Sequence, residues 1–128
     1  MVTAAPLNYE GPLMSHSVLV VDDDPLLCRL LERVLTLNGY SVTLASDGED
    51  ALVSIAADLP DLVITDLQMP RMTGWVLIAY LHDNCPLLPI LVVSAVASGP
   101  TLDGIPYLAK PFALATFIAM VQEQFLVT

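Results

Sequence analysis

The stretch Asp61-Leu62-Val63-Ile64-Thr65-Asp66-Leu67-Gln68-Met69-Pro70 constrains this chain more than any other. Its apolar core does not alternate with polar residues, is rich in β-branched side chains and stops at polar residues and a proline. That is the pattern of a strand covered on both faces, which requires helices on either side of a parallel sheet. Asp66 is thereby delivered to the carboxyl end of a central strand, the end at which open α/β sheets bind ligands.

Short apolar runs alternate with helical patterns around this strand. Val18-Leu19-Val20-Val21 ends in Asp22-Asp23-Asp24-Pro25, which joins a strand end to a helix N-cap with proline at the first helical position. Leu27, Leu30, Leu31 and Val34 recur at helical spacing and predict one face against a sheet, and Asn38-Gly39 supplies the stop. A second strand is predicted over 41–45, and Ser46 with Glu49 reads as a capping box opening a helix that carries Ala51, Leu52, Ile55 and Ala56. The third strand covers 61–65, and a helix over 73–83 presents Leu77, Ile78 and Leu81 together. Pro86 and Pro89 exclude helix and lead into a strand at 90–94. Beyond the broken Ser98-Gly99-Pro100, a fifth strand is predicted at 105–108 and a last helix at 112–126. Such alternation implies right-handed crossovers and an α/β, doubly wound parallel sheet.

With 128 residues the chain has room for one domain and one core. Pro6, Gly11 and Pro12 suggest that residues 1–15 are a flexible leader, with the folded domain over 16–128. The composition is 55% hydrophobic and the mean hydropathy is +0.70. Even so, the longest apolar segment, at 85–97, carries Pro86, Pro89 and Ser94, which suits a core strand and not a membrane span. No basic region followed by an apolar stretch opens the chain, so a cytoplasmic location is expected, with Cys28 and Cys85 as reduced thiols. The net charge of -10, with Arg29, Arg33, Arg71 and Lys110 as the only basic residues, argues against nucleic acid and anionic membrane as partners. It suits a cation.

The predicted topology brings polar strand ends to one edge: Asp22 and Asp23, Asp66, Ser94, and then Lys110, the only lysine. Clustered carboxylates repel one another, and hard oxygen ligands with room for water favour Mg²⁺. Taken singly, each residue has a plainer role as a cap, a loop carboxylate, a solvated amine or a packed ring. The crevice that open α/β sheets form at their strand ends favours the joint reading.

Val21-Asp22-Asp23-Asp24-Pro25, Asp66 followed by Met69-Pro70 and Gly74, Ser94-Ala95, and Tyr107-Leu108-Ala109-Lys110-Pro111-Phe112 resemble the response regulator receiver domain over residues 17–126. This is the CheY-like phosphoacceptor module of two-component signalling. The resemblance implies a flavodoxin-like (βα)5 fold with strand order 2-1-3-4-5. It implies that Asp66 accepts a phosphoryl group from a sensor histidine kinase, a phosphotransfer protein or a small phosphodonor. It further implies Mg²⁺, with Mn²⁺ as an alternative, held by Asp23, Asp66 and the backbone carbonyl of Gln68, with Asp22 acting mainly through water. Lys110 and Ser94 would bind the phosphoryl oxygens, and Ser94 with Tyr107 would form the switch. Slow self-dephosphorylation would be the only turnover, so the module is not a metabolic enzyme.

Fifteen residues separate Ser94 from Lys110, about six fewer than such domains carry, which removes roughly 9 Å of helix at the standard rise. We therefore expect a shortened or irregular fourth helix, with nothing longer than two turns over 96–103. In the last helix Leu114, Phe117, Ile118 and Val121 are expected to face the core. Ala113, Ala115, Thr116, Ala119 and Met120 leave an uncharged surface suited to a homodimer or to the unidentified output partner. The competing reading is a phosphorylation-independent pseudo-receiver acting as a protein-interaction module. A Mg²⁺-dependent phosphohydrolase would need a second acid two residues after Asp66, where Gln68 stands. A dinucleotide site would need a Gly-rich turn in place of Asp-Asp-Asp-Pro.

Overall fold

The computed structural model describes residues 15–96 and 104–126. Its elements are β1 (Ser17–Val21), α1 (Pro25–Leu37), β2 (Ser41–Ala45), α2 (Gly48–Ala57), β3 (Leu62–Thr65), α3 (Gly74–Asn84), β4 (Ile90–Ser94), β5 (Tyr107–Ala109) and α4 (Leu114–Glu123). The strands form one sheet in the order β2-β1-β3-β4-β5, and every pairing is parallel. The expected shortened or irregular fourth helix falls on 96–103 and the expected leader on 1–15. Both lie essentially outside the described residues.

Each face of the sheet carries its own core, as fully apolar strands require. Val18, Val20, Leu62, Ile64, Leu91 and Val93 pack with Cys28, Leu31 and Leu35 of α1 and Phe117 and Val121 of α4. Leu19, Val21, Val63 and Val92 pack on the other face with Ala51 of α2 and Leu77, Ile78 and Leu81 of α3. Burying each of the larger side chains stabilises the fold by about 1.5–3 kcal/mol. Among the described residues no helix is long and apolar enough to cross a membrane.

Several boundaries differ from the sequence reading for identifiable reasons. The α2 N-cap is Asp47, whose carboxylate accepts the Asp50 amide at 2.9 Å, and not Ser46; the Ser46 hydroxyl donates to the Asp50 carboxylate instead. β5 begins two residues late, because Pro106 has no N–H and serves the ladder only through its carbonyl, 2.9 Å from the Val92 amide. The α1 seam is Cys28, Leu31 and Leu35, and Leu30 is 44% exposed. Leucines surround α1, so periodicity overlooked the small apolar Cys28. α4 is shorter than 112–126, Leu114 is turned outward, and Met120 packs partly against the core.

Candidate functional site

Four strand ends and the turns beyond them build the site. Asp22 and Asp23 follow β1, and Asp24 caps α1 by accepting the Leu26 and Leu27 amides at 3.0 and 3.3 Å. The Asp22 Oδ1 accepts the Asp24 amide at 2.9 Å, which holds the turn closed. Beneath it the buried Cys28 thiol donates to the Asp22 carbonyl at 3.2 Å. Burial and the charges of Asp22 and Asp24 push that thiol up to about 11, so it serves as a packed apolar group.

Asp66 follows β3, and its Oδ1 accepts the Leu67 and Gln68 amides at 2.6 and 3.3 Å. The other oxygen, Oδ2, is 3.0 Å from the Lys110 Nζ, and the same ammonium is 2.7 Å from the Asp22 Oδ2. Lys110 is held in turn by its backbone amide on the Ser94 carbonyl at 3.0 Å. One cation therefore ties three strand ends together.

The electrostatics separate the two buried acids. Burial pushes the Asp22 carboxyl above its ordinary 3.8, and Lys110 and the Asp24 amide only partly oppose this. Burial acts the same way on Asp66, but the neighbouring Ser94 hydroxyl, the hydrogen bonds from Lys110 and the Leu67 amide, and the Lys110 charge outweigh it and hold the carboxyl below 3.8. For Lys110 burial works against the charge, yet Asp22 and Asp66 outweigh it and raise the ammonium above 10.5. The same burial and the same shared ammonium thus leave the Asp22 and Asp66 carboxyls displaced in opposite directions.

Carboxylate oxygens of Asp22, Asp23 and Asp66 lie within 4.8 Å of one another. Asp23 is exposed and shares a cleft with Gln68, Met69, Thr73 and Trp75. An open, all-oxygen cluster of this kind fits a hard divalent ion that keeps several waters, as Mg²⁺ does. Ser94 is fully buried, and its Oγ accepts the Val96 amide at 3.2 Å. The half-buried Tyr107 directs its hydroxyl at the Ser94 and Val96 carbonyls, 2.9 and 2.8 Å away.

The structure thus gathers Asp22, Asp23, Asp66, Ser94 and Lys110 at one edge, with Gln68 on the adjoining loop and Tyr107 behind Ser94. Sequence reasoning missed Arg71, which has φ 62° and lies 2.6, 3.8 and 3.2 Å from Asp47, Glu49 and Asp50. The available signal was a rare basic residue directly after Met69-Pro70 in an acidic chain. The role of Gly74 was also missed. A Cβ there would stand 1.9 Å from the Asp66 carbonyl oxygen, so only glycine lets α3 start against that backbone.

A parallel five-stranded α/β fold with clustered aspartates and a lysine at the strand ends defines a receiver-type signalling module. A family model described as the response regulator receiver domain matches residues 18–122, and the chain belongs to that family, the receiver domains of two-component phosphorelay signalling. It is 44% identical over 112 residues to the response regulator MprA of Mycobacterium tuberculosis (strain ATCC 25618 / H37Rv), covering 83% of this chain and 49% of that protein. The match to MprA of Mycobacterium avium (strain 104) is 44% over 108 residues, covering 80% and 47%. The chain spans about half the length of the curated relatives it matches. Among solved structures, the Vibrio cholerae chemotaxis response regulator CheY4 is similar with a TM-score of 0.80 at 28% identity, covering 88% of this chain and 100% of that one. The Thermotoga maritima response regulator TrrA, solved in complex with Mg(2+)-BeF, is similar with a TM-score of 0.80 at 27% identity, covering 86% and 99%.

Proposed function

We propose that this domain accepts a phosphoryl group on Asp66 in a Mg²⁺-dependent reaction and thereby switches a partner-binding surface. The observation that carries the reading is the sharing of Lys110 between Asp22 and Asp66, at 2.7 and 3.0 Å, beside the exposed carboxylate of Asp23. Asp23, Asp66 and the Gln68 carbonyl would hold the metal, and Asp22 would act through water. When bound, Mg²⁺ neutralises charge on the incoming phosphoryl oxygens.

Phosphoryl transfer needs positioning and charge neutralisation more than it needs a base. An Asp66 oxygen forms the new O–P bond while the bond from phosphorus to the donor breaks. The bonding pair leaves with the donor, an imidazole nitrogen of a histidine kinase or the acetate of acetyl phosphate. The depressed Asp66 carboxyl is ionised for attack at any physiological pH. Lys110 then follows the negative charge onto the phosphoryl group, and Ser94 donates its hydroxyl there.

Drawing Ser94 forward disturbs the carbonyls that receive the Tyr107 hydroxyl, so charge at Asp66 reaches the surface through Tyr107. The uncharged outer face of α4, with exposed Ala115, Thr116 and Ala119, is the surface we assign to a second copy or the output partner. Incubation with Mg²⁺ and acetyl phosphate, read by intact-protein mass spectrometry, should give one added phosphoryl group that Asp66→Ala lacks. No adduct with any donor would favour the phosphorylation-independent module.

A further inference from the structure

We propose that Arg71 is a positioning residue for the metal site: it clamps the β3–α3 loop, which carries the Gln68 carbonyl, onto the N-terminus of α2. The inference rests on the phosphoacceptor reading and extends it to a residue outside the site.

Arg71 is the non-glycine residue with positive φ, at 62°, among the described residues. Left-handed backbone favours glycine there, because a Cβ crowds the following carbonyl. Such strain persists where the surroundings hold the residue in place. The side chain shows what holds it: the Arg71 Nε donates to the Asp47 Oδ2 at 2.6 Å, and Nη2 reaches Asp50 at 3.2 Å. Exposed ion pairs contribute little, and the Glu49 and Asp50 arms belong to that kind. The Asp47 side chain, in contrast, is only 4% exposed. It spends one oxygen on capping α2 and the other on Arg71, so it is a fixed anchor.

The backbone repeats the contact. The Gly48 amide donates to the Met72 carbonyl at 3.2 Å, and a Cβ on Gly48 would come within 2.6 Å of the Met72 side chain. At its other end the loop is set by Asp66, which accepts the Leu67 and Gln68 amides, and by the Gly74 amide on the Leu67 carbonyl at 3.0 Å. Gln68 lies in the short span between these two fixed ends. Mg²⁺ demands near-ideal octahedral geometry, so a carbonyl ligand on a loosened loop binds it less well. Arg71 therefore acts on the metal through Gln68, as an outer-shell partner does.

The sign of the effect separates positioning from charge. Removing a cation from beside three carboxylates should tighten Mg²⁺ through electrostatics alone, whereas loosening the loop should weaken it. In Arg71→Gly, which suits the left-handed backbone, we expect the Mg²⁺ affinity measured by calorimetry to fall about tenfold, the low end for outer-shell changes. Emission from Trp75, the only tryptophan, which lines the cleft shared by Asp23 and Gln68, provides a second readout. Amide exchange across residues 67–72 should quicken. The melting point without metal should stay near the parent's, and the Mg²⁺-dependent rise should shrink. Arg33→Gln, an exposed charge control on α1, should bind as the parent does. Asp47→Asn combined with Arg71→Gly should bind within about twofold of Arg71→Gly alone, because the two residues act as one unit. Parent-like or tighter binding in Arg71→Gly, or a full second loss in the double variant, overturns the clamp while leaving the phosphoacceptor reading intact. A parent that takes up no Mg²⁺, or takes it up equally in Asp66→Ala, overturns both.

Discussion

Gly74 and Asp66 are in backbone contact so close that a Cβ on Gly74 would lie 1.9 Å from the Asp66 carbonyl oxygen and 2.7 Å from the Leu67 Cα. The obstruction is backbone, which cannot turn aside as a side chain can. α3 therefore begins against the residue that carries the site's central carboxylate.

Gly74→Ala should accordingly be among the most damaging small substitutions in the domain. We expect a loss of about 3 kcal/mol, the upper end for overpacking, read as a lowered urea midpoint, together with weakened Mg²⁺ binding. Gly48→Ala should cost less, because the atoms its Cβ meets belong to the flexible Met72 side chain. Equal effects at the two positions would contradict this account.

Lys110→Met leaves Asp22 and Asp66 without their shared cation. Breaking a buried pair destabilises by 3–5 kcal/mol. The Lys110 side chain is 22% exposed, so we expect about 2 kcal/mol in the presence of a chelator. Mg²⁺ supplies the missing charge, so its stabilising effect should be larger in Lys110→Met than in the parent. Thermal melts with and without Mg²⁺ test this, and a smaller Mg²⁺ effect in the variant would count against a cation-binding cluster.

The two buried acids should titrate in opposite senses. The Asp66 carboxyl is held below 3.8, so its stabilising contribution is present above the unfolded-state value and is lost as pH falls through the lower folded value. The Asp22 carboxyl is raised above 3.8, so its ionised form is disfavoured in the fold, and protonation in acid relieves that cost. Carboxyl ¹³C titration of the metal-free protein should show Asp22 taking up its proton at higher pH than Asp66. Lys110, raised above 10.5, contributes stability below its unfolded-state value that is lost as pH rises through the folded one.

Tyr107→Phe removes one proton that two carbonyls share, those of Ser94 and Val96. A hydroxyl donates once, so the loss should be about 1 kcal/mol, the worth of a single hydrogen bond. The freed ring should also occupy more than one χ1 rotamer, seen as averaged aromatic resonances. A loss near zero with an unaltered ring would show that packing alone holds Tyr107.

Local chemistry in the sequence determined much of this protein. Unbroken apolar strands required a two-faced parallel sheet, and the Asp24-Pro25 cap and the Leu77, Ile78 and Leu81 face were correct because each depends on neighbours within a few residues. The polar strand ends could be assigned to one edge because parallel strands share a direction. Only the tertiary structure decided what depends on residues far apart in the chain. Examples are the β5 start, displaced by Pro106 against Val92, and the sharing of Lys110 by acids 88 and 44 residues away. The Arg71 contact with Asp47, 24 residues upstream, is of the same kind. Backbone propensity at position 71 points to glycine, and only the buried carboxylate across the loop explains an arginine there.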